Sequence, residues 1–257
     1  MNKTKKKVCA VIPAAGEGRR LGGVLPKILV PVTGQKSIWD FLYEKISPLV
    51  DHTHVVLSPI GQPLFQKTLT AKGKDCFVTT SVQHRPIGMG DAIFGAYEFW
   101  KDFEYILIVW GDQIYVSSQT LQTTIKKQIQ NVSKVLTLPV NEVDQPYVQY
   151  IFNDNFSCLT FIRQTREGDV CDPKGLADVG VFALSTTGLK EDWEGYLKKA
   201  HRGKETKEVN FLPFLTYLSS EANWKLNIVQ VKDPDESRGI NTTEDLDFFR
   251  KKLASLK

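Results

Sequence analysis

Long apolar segments are missing from this sequence of 257 residues. Its longest apolar run, residues 105–110, is far shorter than the roughly 18 residues that a membrane-spanning helix needs. The net charge of +4 is not the large basic excess that is typical of proteins that bind nucleic acid. After the lysine-rich start, Pro13 and Gly16 interrupt any stretch of signal-peptide length. We therefore expect a cytoplasmic protein that binds neither membranes nor nucleic acid.

Cysteine and histidine are also scarce, with four residues of each. No two cysteines form a CxxC pair, so neither a zinc site nor a redox pair is supported. His52 and His54 stand two residues apart, which is a weak signal for a metal site. A loop that enters a strand explains these two histidines equally well.

The composition is otherwise that of a globular protein, with 42% hydrophobic and 24% charged residues. The length fits one large α/β domain or two small ones. Since no repeat or low-complexity linker interrupts the chain, we predict a single domain over residues 1–257.

Apolar runs alternate with amphipathic stretches in the first half of the chain, which predicts a parallel sheet with helical crossovers. The second half is less regular. The predicted strands are 8–13, 53–58, 76–80, 105–110, 134–139, 147–152, 158–163, 179–184 and 226–231. The predicted helices are one that follows an N-cap at Ser37, then 63–71, 91–100, 119–130, 189–199, 208–220 and 242–253, the last capped by Thr242 or Thr243.

A glycine-containing segment follows the first predicted strand and reads Ala14-Ala15-Gly16-Glu17-Gly18-Arg19-Arg20-Leu21, with Pro26-Lys27 after it. Gly16 and Gly18 permit a sharp turn whose backbone N–H groups can cradle an anion. Arg20 and Lys27 add positive charge, and this combination suits a triphosphate. The P-loop pattern fails because no Gly-Lys-Ser/Thr follows, and the dinucleotide fingerprint fails because Leu21 replaces its third glycine. On spacing alone, a structural turn with solvated arginines is the alternative.

This AAGxGxR pattern followed by PK resembles the signature of nucleotidyltransferases that join an NTP to a phosphorylated small molecule. The resemblance is greatest to sugar-1-phosphate nucleotidyltransferases, especially to the uridylyltransferase domain of the bifunctional N-acetylglucosamine-1-phosphate enzyme. It implies that Arg20 and Lys27 are catalytic, because they would hold the triphosphate and stabilise the charge at its α-phosphate. It also implies a nucleotide-binding loop made of Ala14, Ala15, Gly16 and Gly18.

Three later segments extend the resemblance. Residues 83–92, QHRPIGMGDA, are similar to the family's QxxxxGxGxA segment, which implies that the Gln83 side chain and the Gly88 backbone read a pyrimidine. Gly111-Asp112 ends a predicted strand and is similar to the family's metal-binding aspartate. Residues 238–246, RGINTTEDL, resemble a late segment whose asparagine, here Asn241, would be the second Mg²⁺ ligand. On the residues alone, the alternatives are an ordinary loop for residues 83–92, a turn residue for Asp112 and part of a helix cap for Asn241.

The segments that the resemblance assigns to binding of the acceptor depart most from the family pattern. Arg163-Gln164 stands near a characteristic glutamate, and Asp178-Val179-Gly180 stands near a characteristic Asn-Thr-Gly. The acceptor-binding residues implied by position are Arg163, Asp178 and Gly180. The Pro-Ala-Ala-Gly and Gly-Arg-Arg details also resemble methylerythritol phosphate cytidylyltransferase, but the Asp-Ala-Ala-Arg segment of that enzyme is replaced by Gly111-Asp112.

The resemblance implies an α/β, Rossmann-like nucleotidyltransferase fold, a mostly parallel mixed sheet flanked by helices, with a less regular acceptor-binding lobe. Residues 1–115 would form mainly the nucleotide-binding half and residues 116–257 mainly the acceptor-binding half. The implied activity is Mg²⁺-dependent transfer of a nucleotidyl group from a pyrimidine NTP, with UTP favoured, to a sugar 1-phosphate, releasing pyrophosphate. The alternatives are cytidylyl transfer to an alditol or other non-sugar phosphate, and a nucleotide-binding protein without turnover. An NAD-binding oxidoreductase is disfavoured by the failed dinucleotide fingerprint.

Overall fold

The computed structural model describes residues 7–16, 21, 23, 25–34, 36–73, 77–131 and 133–255. Its strands, in chain order, are β1 Val8–Pro13, β2 Pro31–Thr33, β3 Lys36–Ser37, β4 His52–Leu57, β5 Val78–Val82, β6 Tyr105–Val109, β7 Val135–Asp144, β8 Val148–Phe152, β9 Leu159–Gln164, β10 Lys174–Asp178, β11 Val181–Ser185 and β12 Lys225–Val231. Its helices are α1 Ile38–Ile46, α2 Gly61–Ala71, α3 Met89–Gly95, α4 Tyr97–Trp100, α5 Ser118–Ile129, α6 Leu189–Leu197, α7 Leu212–Ser220 and α8 Thr243–Ser255.

Ten of these strands form one mixed sheet in the order β5-β4-β1-β6-β11-β7-β10-β8-β9, with β12 paired to β7. The strands β5, β4, β1 and β6 are parallel, as the alternation in the first half predicts. From β6 onward the path through β11, β7, β10, β8 and β9 is antiparallel, and β12 returns parallel to β7. The predicted mixed α/β sheet is confirmed, and its parallel part is concentrated in the first half of the chain.

Helices cover both faces of the sheet, so the fold has three layers with an apolar core on each side. One core holds Trp39 of α1 and Phe65 of α2 with the apolar sides of α5 and α8. The other holds Trp100, Trp193 of α6 and Phe214 of α7. Burying each such side chain contributes about 1.5–3 kcal/mol. The ends of the central strands are therefore held on a rigid layer.

Two predicted helix starts are confirmed in atomic detail. The Ser37 hydroxyl accepts a hydrogen bond from the Asp40 N–H, and the Asp40 carboxylate accepts one from the Ser37 N–H at 2.9 Å, which is a capping box. At α8 the Thr242 hydroxyl accepts from the Asp245 N–H at 3.3 Å, so Thr242 is the cap. The Asp245 carboxylate accepts from the Thr242 N–H in return, at 3.0 Å.

Several predicted element bounds differ from the structure. The helix expected over residues 91–100 is split at Ala96 (φ −88°, ψ 12°), and this lets the Trp100 indole turn inward to donate to the Ile93 carbonyl. The strand expected at 76–80 begins at Val78, and Cys76 lies outside the described residues. The helix expected from residue 208 begins at Leu212 instead.

The antiparallel part of the sheet is larger than the sequence pattern indicates. Strand β7 continues through Pro139 to Asp144, although proline lacks the N–H that a strand interior uses. Pro139 stands between Thr137, which pairs with β11, and Val140, which pairs with β10. Strand β10, with the sequence KGLAD, and the short pair β2 and β3 were not predicted, because none of them has a recognisable apolar period.

Candidate active site

A cavity of about 740 Å³ opens at the carboxyl ends of β1 and β6. Ligands of open α/β sheets bind at this edge, since the loops that follow parallel strands converge there. The cavity wall includes ten of the residues singled out by the sequence: Ala14, Ala15, Gly16, Lys27, Gln83, Gly88, Asp112, Asp178, Gly180 and Asn241. The predicted Gly18 and Arg20 lie outside the described residues, as does Arg19.

The ends of β1 and β6 are packed tightly against each other. A Cβ atom added to Gly111 would lie 3.0 Å from both the Ala14 Cβ and the Pro13 carbonyl oxygen. The Gly111 N–H donates to that same carbonyl at 3.3 Å, and the Ala14 N–H donates to Val56 O on β4 at 2.8 Å. Because glycine allows this approach, Asp112 is held next to the segment that begins at Ala14.

Lys27, Asp112 and Asn241 meet at the cavity floor. The Lys27 ammonium donates to Asp112 Oδ2 at 2.5 Å and to Asn241 Oδ1 at 2.9 Å. The Lys27 and Asp112 side chains keep 19% and 21% of their surface exposed, so both can be reached from the cavity. The sequence predicts that all three act in one site, and the fold brings them into direct contact.

The two oxygen ligands expected for Mg²⁺ already converge on a cation. A carboxylate and an amide oxygen are hard donors of the kind that Mg²⁺ prefers, with its remaining positions filled by water and phosphate oxygens. Asp112 Oδ2 and Asn241 Oδ1 both contact the Lys27 ammonium, so they point to a common position. The donor set therefore fits a divalent cation that a nucleotide's phosphates would help to hold.

Lys45 of α1 holds the loop that carries Asp112. The buried Lys45 ammonium donates to the carbonyls of Ile114 and Val116 at 2.6 and 2.7 Å. Burial lowers the pKa of Lys45 to about 8. Sequence patterns gave no signal for this lysine, since it lies 69 residues from Ile114 in the chain.

The segment before α8 also holds this loop. The Gln113 amide donates to Glu236 O at 2.6 Å, and the Ile240 N–H donates to Asp112 O at 3.0 Å. A Cβ at Gly239 would lie 3.2 Å from the Asp112 carboxyl carbon. These contacts join the two predicted metal-binding segments into one rigid unit.

Gln83 and Gly88 lie together at another wall of the cavity. The Gln83 amide donates through Nε2 to Gly88 O at 2.9 Å and to Asp91 Oδ2 at 2.9 Å. Gly88 has φ +132°, and a Cβ there would lie 2.5 Å from Val209 O, so only glycine fits. The predicted pair is thus brought together, and Asp91 is an unpredicted third member.

Asp178 faces the cavity from the antiparallel part of the sheet. Its Oδ1 accepts from the Gly180 N–H at 2.7 Å and from the Tyr150 hydroxyl at 3.1 Å. Burial raises the pKa of Asp178 to about 6, although these hydrogen bonds act against the rise. Burial, together with the neighbouring Asp178, also raises the pKa of Tyr150 well above its ordinary value. Gly180 (φ +72°) lies against Trp110 and Gln113, so the backbone turn here requires glycine.

Arg163 is not part of the cavity wall. It lies on β9 and donates to Asp172 at 2.7 Å and to Gln149 at 3.3 Å, so its guanidinium is held at the sheet surface. Arg166, three residues later, lines the cavity instead and is 3.7 Å from Glu208. The arginine that the sequence motif indicates thus lies outside the cavity wall, and a second arginine lines it, because the chain turns after β9.

Glu167 organises the segment that contributes Glu208 and Asn210 to the cavity wall. Its carboxylate accepts from the Thr206 hydroxyl at 2.6 Å, from the Asn210 amide at 2.9 Å and from the Glu205 N–H at 3.0 Å. Burial acts to raise its pKa, but these donors lower it to about 2. They also explain why α7 begins only at Leu212.

Arg238 is a further cation of the cavity wall, and the sequence motifs assign it no role. Its guanidinium carbon lies 4.0 Å from the centre of the Phe248 ring, and its Nη2 is 3.7 Å from Asp245 Oδ1. The late RGIN segment therefore supplies a cation and a metal-type oxygen to the same wall.

His52 and His54 lie away from this cavity, and His54 is fully buried. Both hydrogen-bond with the Thr79 hydroxyl, at 2.7 and 2.8 Å, and His54 also hydrogen-bonds with Ser81. Burial lowers the pKa of His54 to about 4. Within the described part of the chain, no group of three or more His, Cys, Asp or Glu residues could hold a metal ion.

None of the helices in the described ranges is long and apolar enough to cross a membrane.

Comparison with known proteins gives matches in family, sequence and fold. A family model described as the MobA-like NTP transferase domain matches residues 10–169. The bifunctional protein GlmU of Buchnera aphidicola subsp. Baizongia pistaciae is 26% identical over 233 residues, which cover 90% of this chain and 49% of that protein. The chain thus spans about half the length of the curated relatives it matches.

Two solved structures share the fold. CMP:2-keto-3-deoxy-manno-octonic acid synthetase complexed with CTP superposes with a TM-score of 0.72 at 15% identity, over 98% of this chain and 100% of that one. The 4-diphosphocytidyl-2C-methyl-D-erythritol synthase from Anaerococcus prevotii superposes with a TM-score of 0.67 at 15% identity, over 97% and 99%. At this identity the likeness shows the fold alone.

Proposed function

Because the chain belongs to the family of MobA-like NTP transferase domains, we propose that it transfers a nucleotidyl group from a pyrimidine NTP to a phosphorylated small molecule. UTP is the favoured donor, a sugar 1-phosphate is the acceptor, and pyrophosphate leaves. The observation that carries this proposal is the meeting of Lys27, Asp112 and Asn241 at one end of a cavity large enough for both substrates.

The reaction needs charge and position more than a protein nucleophile. The acceptor phosphate brings its own anionic oxygen, which attacks the α-phosphate in line with the departing pyrophosphate. Lys27, with Arg20, would stabilise the negative charge that grows at the α-phosphate. Since Lys27 is paired with Asp112, triphosphate binding would exchange this carboxylate for phosphate oxygens around the ammonium.

Asp112 and Asn241 would hold the Mg²⁺ ion of this reaction. A bound Mg²⁺ would neutralise phosphate charge and orient the phosphate oxygens. Lys45 and the segment before α8 keep the Asp112 loop in place for this task. Asp112 and Asn241 together supply only one negative charge. The metal would therefore bind together with the nucleotide's phosphates.

The two parts of the chain would divide the substrates between them. The parallel part, within residues 1–115, carries Ala14–Gly16, Gln83 and Gly88, which would surround the nucleotide. The antiparallel part, within residues 116–257, carries Asp178 and Arg166, which would face the acceptor. We propose that both parts form one domain, because β6 and β11 pair directly within a single sheet. A cytoplasmic location, where NTPs are available, is part of this proposal.

The acceptor wall supports a polyhydroxylated acceptor. Asp178 presents a carboxylate whose Oδ1 is already occupied by Gly180 and Tyr150, while Oδ2 has only a long contact of 3.4 Å from the Trp110 indole. Oδ2 can therefore accept a hydrogen bond from a hydroxyl. A sugar and an alditol both offer such a donor, so cytidylyl transfer to an alditol phosphate is the second candidate.

Pyrophosphate release across the four NTPs, against a panel of sugar 1-phosphates and alditol phosphates, tests the proposal. Mass spectrometry of the products identifies the joined nucleotide and acceptor. We expect UTP with a sugar 1-phosphate to give the fastest release, and only with Mg²⁺. Release that depends on no acceptor, or no release with any pair despite nucleotide binding, would contradict transfer and favour a binding protein without turnover.

A further inference from the structure

The orientation of the Gln83 amide is decided by its two protein partners. Nε2 donates to the Gly88 carbonyl oxygen and to the Asp91 carboxylate, each at 2.9 Å. A carbonyl and an ionised carboxylate accept hydrogen bonds and donate none. The NH₂ group of Gln83 must therefore point toward both, and the flipped amide would place Oε1 against two acceptor oxygens.

These two partners sit on fixed backbone. Asp91 lies in the first turn of α3, the helix that begins directly after Gly88. Gly88 is pressed against Val209, whose N–H donates to Ile87 O at 3.3 Å. Gln83 itself is tied to β4, because its N–H donates to Leu57 O at 2.8 Å. The backbone of all three residues is thus held by elements of the fold, so the Gly88 carbonyl and the base of the Asp91 side chain keep their positions beside Gln83.

The amide therefore offers the cavity an acceptor and no donor. Gln83 and Gly88 line the cavity. Both N–H bonds of Nε2 are used within the protein, which leaves Oε1 for a ligand. Across the described part of the chain, the Gly88 N–H has no hydrogen-bond partner either. A ligand edge that pairs with both groups must place an N–H opposite Oε1 and an acceptor opposite the Gly88 N–H.

We infer that Asp91 is a positioning residue that sets the polarity of base recognition, so that Gln83 accepts the N3–H of uracil while the Gly88 N–H donates to a flanking carbonyl of the base. This inference rests on the proposed function, since it concerns the NTP bound in the same cavity. In the same pose, cytosine would place its N3 lone pair against Oε1 and its amine against the Gly88 N–H. Asp91 thus favours UTP over CTP without touching either nucleotide.

Equilibrium binding of UTP and of CTP, measured by calorimetry with Mg²⁺ and no acceptor, tests the inference. We expect the unmutated protein to bind UTP more tightly than CTP by about tenfold or more, the scale of one well-made hydrogen bond. Asp91→Asn should narrow this ratio measurably, because asparagine can present a donor to Gln83 and so removes one of the two acceptors that orient its amide, while the Gly88 carbonyl remains. The exposed Glu98 of α4, paired with Lys101, gives the control Glu98→Gln, which should leave the ratio unchanged.

A merely structural role for Asp91 would weaken UTP and CTP equally, and an unchanged ratio in a folded Asp91→Asn protein would overturn the inference. Asp91→Ser, which also replaces a pure acceptor by a group that can donate, serves if the asparagine variant does not fold. An unmutated protein that binds CTP at least as tightly as UTP would overturn it as well, while leaving nucleotidyl transfer intact. A protein that binds neither nucleotide would overturn the proposed function and this inference with it.

Discussion

The Lys27 ammonium lies 2.5 Å from Asp112 Oδ2, so the cation expected to hold the triphosphate is bound to the carboxylate expected to hold the metal. Asn241 Oδ1 contacts the same ammonium at 2.9 Å. The Lys27 ammonium therefore lies at the position toward which both metal-type oxygens point. In the proposed reaction, phosphate oxygens would replace the Asp112 carboxylate around this ammonium, and Asp112 and Asn241 would hold the metal.

Lys27→Ala should lower kcat/KM by about 10²–10³-fold, because it removes a positive charge that acts on the developing charge of the α-phosphate. Steady-state pyrophosphate release with the best NTP and acceptor measures the effect. The control is Lys36→Ala, which removes an exposed lysine paired with Glu44 and should leave kcat/KM within about twofold. A Lys27→Ala protein with full activity would contradict the assignment.

Asp112→Asn should raise the Mg²⁺ concentration needed for half-maximal turnover more than it raises the Kd for the nucleotide, because one ligand charge is lost at the ion. Turnover titrated with Mg²⁺, beside nucleotide binding at saturating Mg²⁺, separates the two effects. Excess chelator should abolish turnover of the unmutated protein. Undiminished turnover in chelator would show that no divalent ion takes part.

Gly88→Ala should destabilise the protein by about 2–4 kcal/mol, because its φ of +132° is strained for alanine and the new Cβ would meet Val209 O at 2.5 Å. Gly95→Ala, at the end of the helix that follows Gly88, is the control, since a Cβ there has no heavy atom within 4 Å. Alanine at this position should change stability by less than about 1 kcal/mol. Urea unfolding compares the two variants, and equal losses of stability would contradict the steric account of Gly88.

Asp178 should make the free energy of unfolding depend on pH in the acid range. Burial raises its pKa to about 6, above the value of about 3.9 in an unfolded chain. The folded protein therefore binds this proton more tightly, so the contribution is fully present below about pH 4 and is lost as the pH rises through about 6. The stability of the unmutated protein relative to Asp178→Asn should fall by about 1–3 kcal/mol from pH 4 to pH 7.

Urea midpoints of both proteins at several pH values between 4 and 7 measure this trend. Asp154→Asn, at an exposed position in the turn between β8 and β9, is the control and should show no such fall relative to the unmutated protein. A difference between Asp178→Asn and the unmutated protein that stays constant with pH would contradict the assigned pKa.

Local patterns in the sequence were sufficient for the parallel half of the fold. The strand Val8–Pro13 and the capped helix after Ser37 were predicted correctly, because burial on both faces and capping leave their signal within a few residues. The nucleotidyltransferase family, inferred from the motifs at Gly16, Asp112 and Asn241, is confirmed by the match over residues 10–169. Gln83 and Gly88 stand five residues apart, and their proximity follows from that spacing.

The antiparallel half was less predictable. Strand β10 carries too few apolar residues for a period-two pattern, and its place between β7 and β8 depends on pairing with both. Near Pro139 the partner along one edge of β7 changes from β11 to β10, while β12 pairs through this position along the other edge. Which arginine faces the cavity, Arg166 rather than Arg163, depends on the turn that follows β9.

The sequence by itself determined the family and indicated candidate site residues, since motif spacing and residue type are local properties of the chain. Only the tertiary structure decided how those residues meet. Lys27 contacts groups 85 and 214 positions away, and no local pattern encodes such distances. The sequence allows either orientation of the Gln83 amide. In the structure, its NH₂ group donates to the Asp91 carboxylate and to the Gly88 carbonyl. Hydrogen-bond polarity depends on partners in space, so packing, and not spacing, determined that Oε1 of Gln83 is the atom left for a ligand.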